Sequence, residues 1–216
     1  MDTPSDATAL LQALAWGLAL LVSALMRPWR LLSGPQGSQR LSTLLGFSVL
    51  LPWLWALPWL HAMPLQLQWS GACLAVLMLG WPLAAPCLLG VALSAGWLAG
   101  QGVAVMLDQA FWQGLLPATL ALLLGAAIRR WIGPHLFVYV LGRAFLGTVA
   151  CNFAATALAQ WTGHALPGVD PGLSLVAHWL MAWGDGFMTG MLAAILVAFR
   201  PQWLATWSDS LYLPKP

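Results

Sequence analysis

Arg143 and Asp185 are the charged side chains that fall inside long apolar stretches, and they are the first place to look for chemistry. A carboxylate or guanidinium within a bilayer costs several kcal/mol unless it is paired, hydrated or neutralised. Counting ~1.5 Å per helical residue from the basic ends places Arg143 roughly 12 Å deep and Asp185 roughly 20 Å deep, a gap that an extended arginine can close. The pair therefore has two readings. One is a buried ion pair that fixes how the last two helices dock; the other is a group that handles substrate or gates its passage. Asn152, polar in the middle of its own apolar stretch, joins them as a candidate for the polar core.

The histidines form a second constellation. His61 and His164 fall in gaps between apolar stretches, and His178 lies seven residues before Asp185, on nearly the same helix face. With Asp108 and Asp170 at similar depth, the three imidazoles could ligate a borderline metal such as Ni²⁺, Co²⁺ or Zn²⁺. No two have the i, i+4 spacing that preforms a site on one helix, so convergence depends on the fold. Otherwise they are two loop histidines and one packed helix histidine. His135, beside Pro134, is expected to mark a boundary. A catalytic arrangement would take Cys151 as nucleophile, His178 as base and Arg143 as carboxylate clamp. Helix geometry sets Cys151 several ångströms deeper than His178, in a run of small residues that packs, so no enzyme is expected. An aspartyl protease would need a second facing carboxylate, and only Asp185 is expected at that depth.

The elements that position these residues are apolar. Charged residues make up 6% of the 216 and hydrophobic ones 61%, with a mean hydropathy of +0.81. A soluble domain would be about a quarter charged, so lipid is the main solvent and one integral-membrane domain over residues 1–216 is expected. A net charge of +2, spread over several loops, does not make a nucleic-acid patch. Glutamate is absent, leaving six aspartates as the acids. Cys73, Cys87 and Cys151 all fall in apolar segments and match no zinc spacing. Asp2 and Asp6 stand where a signal peptide would carry basic residues. The chain has no GxxxxGK[ST] loop, so it is not expected to hydrolyse ATP itself.

Seven transmembrane segments are expected: 8–26, 41–60, 67–81, 84–99, 111–128, 135–160 and 174–199. The third and fourth are short, separated at Pro82 and Pro86, and could instead form one re-entrant pair. Seven of the eight basic residues lie in the 27–40 and 129–134 gaps and the tail after Phe199. The positive-inside rule then sets the N-terminus outside and the C-terminus in the cytoplasm, as an odd number of spans requires. The fold class is an all-α polytopic bundle. Of 15 tryptophans, Trp29, Trp59, Trp69, Trp81, Trp131, Trp161 and Trp203 are expected at segment ends as interfacial anchors. Trp179 and Trp183 share one face of the last helix. Gly96–Gly100 and Gly186–Gly190 have the spacing of close helix contacts.

Several stretches carry a family likeness. They are Phe187-Met-Thr-Gly-Met-Leu, then Phe199-Arg-Pro-Gln-Trp-Leu-Ala-Thr-Trp-Ser-Asp-Ser-Leu-Tyr-Leu, Pro134-His-Leu-Phe-Val-Tyr-Val, Gly80-Trp-Pro-Leu and Ala99-Gly-Gln-Gly. Together, over most of residues 40–213, the chain resembles the CbiM-like membrane proteins. These are relatives of the substrate-capture subunit of energy-coupling-factor (ECF) cobalt and nickel transporters. The resemblance implies a seven-helix bundle in the bacterial inner (plasma) membrane, presenting a pocket to the outer face. It also implies a transmembrane coupling subunit and ATPase subunits as partners, Co²⁺ or Ni²⁺ as transported substrate and no covalently bound cofactor. The metal-capturing members begin Met-His; here Asp2 replaces that histidine, which marks a divergent branch. An acidic residue tends to stand at the position of Asp185 in its relatives. The alternative is a stand-alone facilitator or structural protein that keeps the bundle without ATPase coupling.

Overall fold

A computed structural model describes residues 6–34, 36–60, 69–164, 169–208 and 212, and no strand occurs among them. The helices are α1 (Asp6–Leu25), a single turn α2 (Trp29–Leu32), α3 (Gly37–Leu60), α4 (Ala72–Leu79) and α5 (Trp81–Leu98). They are followed by α6 (Val103–Gln109), α7 (Leu116–Trp131), α8 (Gly147–Trp161) and α9 (Pro171–Phe199). A π-helical segment, Ala110–Leu115, fuses α6 to α7, and a second, Val138–Leu146, opens α8. Among the described residues, six helical units are long and apolar enough to cross a membrane: Ala7–Leu25, Gly37–Leu60, Trp81–Leu98, Val103–Trp131, Val138–Trp161 and Pro171–Phe199.

The expected third segment is where the structure departs from the sequence reading. The helix there is α4, eight residues long, which at 1.5 Å per residue covers only ~12 Å. Seven of its eight residues are buried, and it packs against α3, α5, α7 and α9. A helix that is apolar all round belongs in a core, and α4 is the centre of this one. The break after it falls at Gly80, with φ 78° and ψ 153°, a conformation essentially confined to glycine. Pro82 is not the breaker. It sits in the first turn of α5, where proline's missing N–H and fixed φ are harmless.

Side-chain contacts fix the directions of the helices. Ser48 of α3 lies 3.9 Å from Cys87 of α5, and further along both helices Pro52 and Trp53 line the same groove as Trp97 and Leu98. So α3 and α5 run the same way, and α4 lies on the return between them. By contrast α1 is antiparallel to α5, with Ser23 near its end donating to the Pro82 carbonyl at the start of α5, 2.5 Å away. Likewise α8 and α9 are antiparallel, from Gln160 against Pro171 at one end to Gly190 against Phe145 at the other. These directions gather Arg27, Arg30, Arg40, Arg129, Arg130 and Arg200 at one end of the bundle, here the basic end. Asp108, His164 and Asp170 lie toward the opposite, acidic end.

Small residues set the closest approaches. A Cβ on Gly186 would stand 2.4 Å from Val149 Cγ2, and one on Gly190 would stand 2.9 Å from Phe145 Cβ. The Gly186–Gly190 pair is thus a true contact stripe between α8 and α9. The Gly96–Gly100 pair is not: Gly96 meets Met106, while Gly100 is a turn residue at φ +65° with nothing near it. Beyond α9 the chain folds back under α4. The amides of Ala205 and Thr206 donate to the carbonyls of Met78 and Leu77, both at 3.2 Å, satisfying acceptors that the end of α4 leaves open. Tyr139 shares a 2.8 Å hydrogen bond with Thr206, and Trp207 stacks on Tyr212 with ring centroids 4.6 Å apart. Trp131 and Trp161 are 80% and 79% exposed at helix ends, as anchors should be; Trp81 is buried instead and donates to Thr119 at 3.3 Å.

Candidate functional site

Asp185 projects from the middle of α9 into the start of α4. The segment Trp69–Gly71 is not helical, and Gly71, at φ +64°, turns it into α4. Irregular backbone in a membrane bundle must find partners inside the protein, and here they are specific. Trp55 Nε1 donates to both Trp69 O and Ser70 O, at 3.1 and 3.2 Å. Ser70 Oγ donates to the Gln113 carbonyl at 2.7 Å. Ser70 N donates to Asp185 Oδ2 at 3.3 Å, and Asn152 Nδ2, from α8, donates to the same oxygen at 2.5 Å. One carboxylate thus ties α9 to α8 and to the entry of α4. The Cys73 thiol lies 3.8 Å from Asn152 Oδ1 and neighbours Cys151 and Thr148. Asp185 is 5% exposed and Asn152 6%, so the cluster is buried.

Arg143 is not the partner of Asp185. Its guanidinium packs over Gly125, which has no side chain to displace, and lies 5.7 Å from the centre of the Tyr139 ring. The expected ion pair does not form because Arg143 points toward α7 and the basic end. Asn152, not Arg143, completes the polar core with Asp185. The only ion pair among the described residues is His164 with Asp108.

That second pair defines another site, nearer the acidic end. Helix α6 begins at Val103, so Asp108 is embedded in a spanning helix and not in the loop that residues 100–110 were expected to form. It is 9% exposed. Asp108 Oδ1 meets His164 Nε2 at 3.0 Å and accepts from Gln12 Nε2 of α1 at 2.5 Å. The His164 ring also lies against Trp112, with centroids 5.3 Å apart. The apolar run Val103-Ala-Val-Met-Leu immediately before Asp108 is the signal that could have placed this acid inside the bundle.

A line of polar groups joins the two sites along the π-helical segment. Gln109, next to Asp108, donates to Trp55 O at 3.2 Å and to Gln113 Oε1 at 3.1 Å. The Gln113 carbonyl receives Ser70 Oγ, and Ser70 N reaches Asp185. Gly114 allows this, since a Cβ there would stand 3.3 Å from the Trp55 ring. π-helical insertions are frequent at functional sites because they re-aim side chains without ending the helix.

The remaining candidates are scattered. His178 is half-buried on α9, with a buried Nδ1 that has no hydrogen-bond partner among the described residues. His61 lies outside the described residues. His135 is exposed and its Nδ1 accepts from Phe137 N at 3.3 Å. Among the described residues, no three of His, Cys, Asp and Glu cluster as metal ligands. Cys151 packs beside Cys73, and no contact joins it to His178. Trp179 and Trp183 belong to an aromatic seam with Phe153 and Phe145, which is helix packing. No known family, curated protein or solved structure matches the chain.

Proposed function

We propose that this is the substrate-capture subunit of an ECF-type importer in a bacterial plasma membrane, and that its cargo is a transition-metal ion such as Co²⁺ or Ni²⁺. In this reading the chain crosses the bilayer seven times, α4 serving as the shortened crossing, with the N-terminus outside and the C-terminus in the cytoplasm. A transmembrane coupling subunit and ATPases supply the energy.

The observation that carries the reading is the buried carboxylate of Asp108, held by a spanning helix against His164 without an arginine or lysine in contact among the described residues. Anionic groups in low dielectric need positive charge, and a bundle that presents an acid without a fixed counter-ion suits a cation. Asp108 and His164 are an oxygen–nitrogen donor pair of the kind that borderline divalent metals accept. A metal ion entering there would replace the proton shared across the 3.0 Å contact, and His61 is the candidate third ligand. The strap of Ala205 and Thr206 below α4 closes the basic end, which suits a protein waiting for cargo from the acidic side.

Two experiments test this. The tagged chain, purified from native membranes, is expected to bring a coupling subunit and ATPases and to bind Ni²⁺ or Co²⁺. A protein that purifies alone yet transports after reconstitution would be a stand-alone facilitator instead. Because the native cysteines are buried, single cysteines at positions 164 and 130 give a clean labelling test. An impermeant reagent outside intact cells should reach 164 and not 130; the reverse pattern refutes the orientation.

A further inference from the structure

The geometry points to Asp185 as a dissociable proton site, separate from the metal-capturing pair and independent of the nature of the cargo. The two donors that reach this carboxyl among the described residues, Ser70 N and Asn152 Nδ2, converge on Oδ2. That leaves Oδ1 to carry a proton. Among the described residues, the ionisable group that faces Asp185 is Cys73 on α4, with Cys151 of α8 beside it. A thiol cannot carry positive charge, so neither can act as a counter-ion. His178 is two turns away on α9 itself. Arg143, on the helix that continues into α8, is displaced from Asn152 toward the basic end by about 13 Å along the axis. A carboxylate that is 5% exposed with only neutral donors is more stable as the acid in such surroundings.

A bound sodium ion would be the other way to neutralise the site, and the oxygen atoms do not favour it. Unwound backbone in transporters often turns its carbonyls to an ion. Here Trp69 O and Ser70 O accept from Trp55, and Gln113 O accepts from Ser70. The carbonyls of the break are engaged by protein donors, whereas a proton needs a single lone pair. Release is Asp185 COOH giving COO⁻ and H⁺, with no other reactant. The charge then appears where α4, α8 and α9 meet, so the fit of α4 depends on it.

Infrared spectroscopy of the full chain in lipid nanodiscs, titrated with pH alone, tests the site. The carbonyl stretch of a protonated carboxylic acid should be present at neutral pH and fade reversibly toward alkaline pH. It should be missing from Asp185→Asn at every pH and retained in Asp108→Asn. A wild-type spectrum without that band, or a band that persists in Asp185→Asn, overturns the proposal. Asn152→Ala removes one of the two donors and keeps the carboxyl, so the band and its reversible loss with rising pH should remain. A folded Asn152→Ala protein without the band would equally overturn the proposal.

Discussion

Replacing Gly186 by alanine tests whether the closeness of α8 and α9 is what builds the Asp185 cluster. The new Cβ would stand 2.4 Å from Val149 Cγ2 and 3.2 Å from the backbone oxygen of Phe145. Optimal carbon–carbon contact is about 3.5–4.0 Å, so the helices must part by roughly 1 Å. Val149 cannot swing aside cheaply, because a β-branched residue in a helix has essentially one rotamer. Overpacking of this kind costs ~1–3 kcal/mol. Gly184→Ala supplies the control: nothing lies within 4 Å of its added Cβ, while alanine's advantage in helix propensity is the same at both positions. The difference between the variants therefore isolates crowding. At about 2–4 °C per kcal/mol for a chain of this size, Gly186→Ala should melt several degrees below Gly184→Ala in detergent. The Asn152–Asp185 bond, now 2.5 Å, should open at the same time, because Asn152 is one turn from Val149. Equal melting temperatures for the two variants would refute the close-packing argument.

Gly80→Ala should cost ~1–3 kcal/mol through backbone strain alone, since φ 78° and ψ 153° are closed to alanine although its nearest neighbour would be 3.8 Å away; thermal denaturation measures it. His164→Leu keeps ring-sized bulk beside Trp112 but removes the nitrogen that faces Asp108, and is expected to abolish Ni²⁺ or Co²⁺ binding in calorimetry while leaving the fold intact by circular dichroism. Thr206→Val removes the hydroxyl that bonds Tyr139 and Leu77 O, and should lower stability by about 1–2 kcal/mol and speed proteolysis of the tail. Combined with Asn152→Ala at the far end of α4, it should show a coupling energy of at least ~0.5 kcal/mol, where independent sites at that distance would simply add.

The sequence carried the bundle because lipid exposure writes itself into composition. Long apolar runs with arginines at alternate ends gave five of the expected segments helices within a few residues of their bounds, 174–199 among them as Pro171–Phe199, whereas 111–128 extends back to Val103. It concealed α4 for a physical reason. A short helix buried on every side looks in one dimension like a full-length apolar segment, and only its length and Gly80 distinguish it. Asp185 was visible as a charge inside an apolar run, but its partner was not. An arginine attracts attention by its charge, whereas Asn152 and a backbone amide are inconspicuous in sequence and are brought to Asp185 only by the α8–α9 contact and the Gly71 turn. Asp108 was hidden because the fifth apolar segment was read as starting at 111, whereas only the four residues 99–102 separate α5 from α6.

The position of α4 gives these separate observations a common consequence. At ~12 Å α4 is short, but it is buried among α3, α5, α7 and α9, and it is held at its two ends by different parts of the chain. Its entry is fixed through Ser70 to the Asp185 carboxyl and the Gln113 carbonyl; its exit is fixed through Leu77 and Met78 to the C-terminal strap. The strap is also where Tyr139, Trp207 and Tyr212 meet, on the end of the bundle that carries the arginines. Asp185 and this aromatic closure are therefore linked twice, through the buried α4 and along α9, which carries the acid and shares a core cluster with Tyr139, Leu204 and Tyr212 through Ala193.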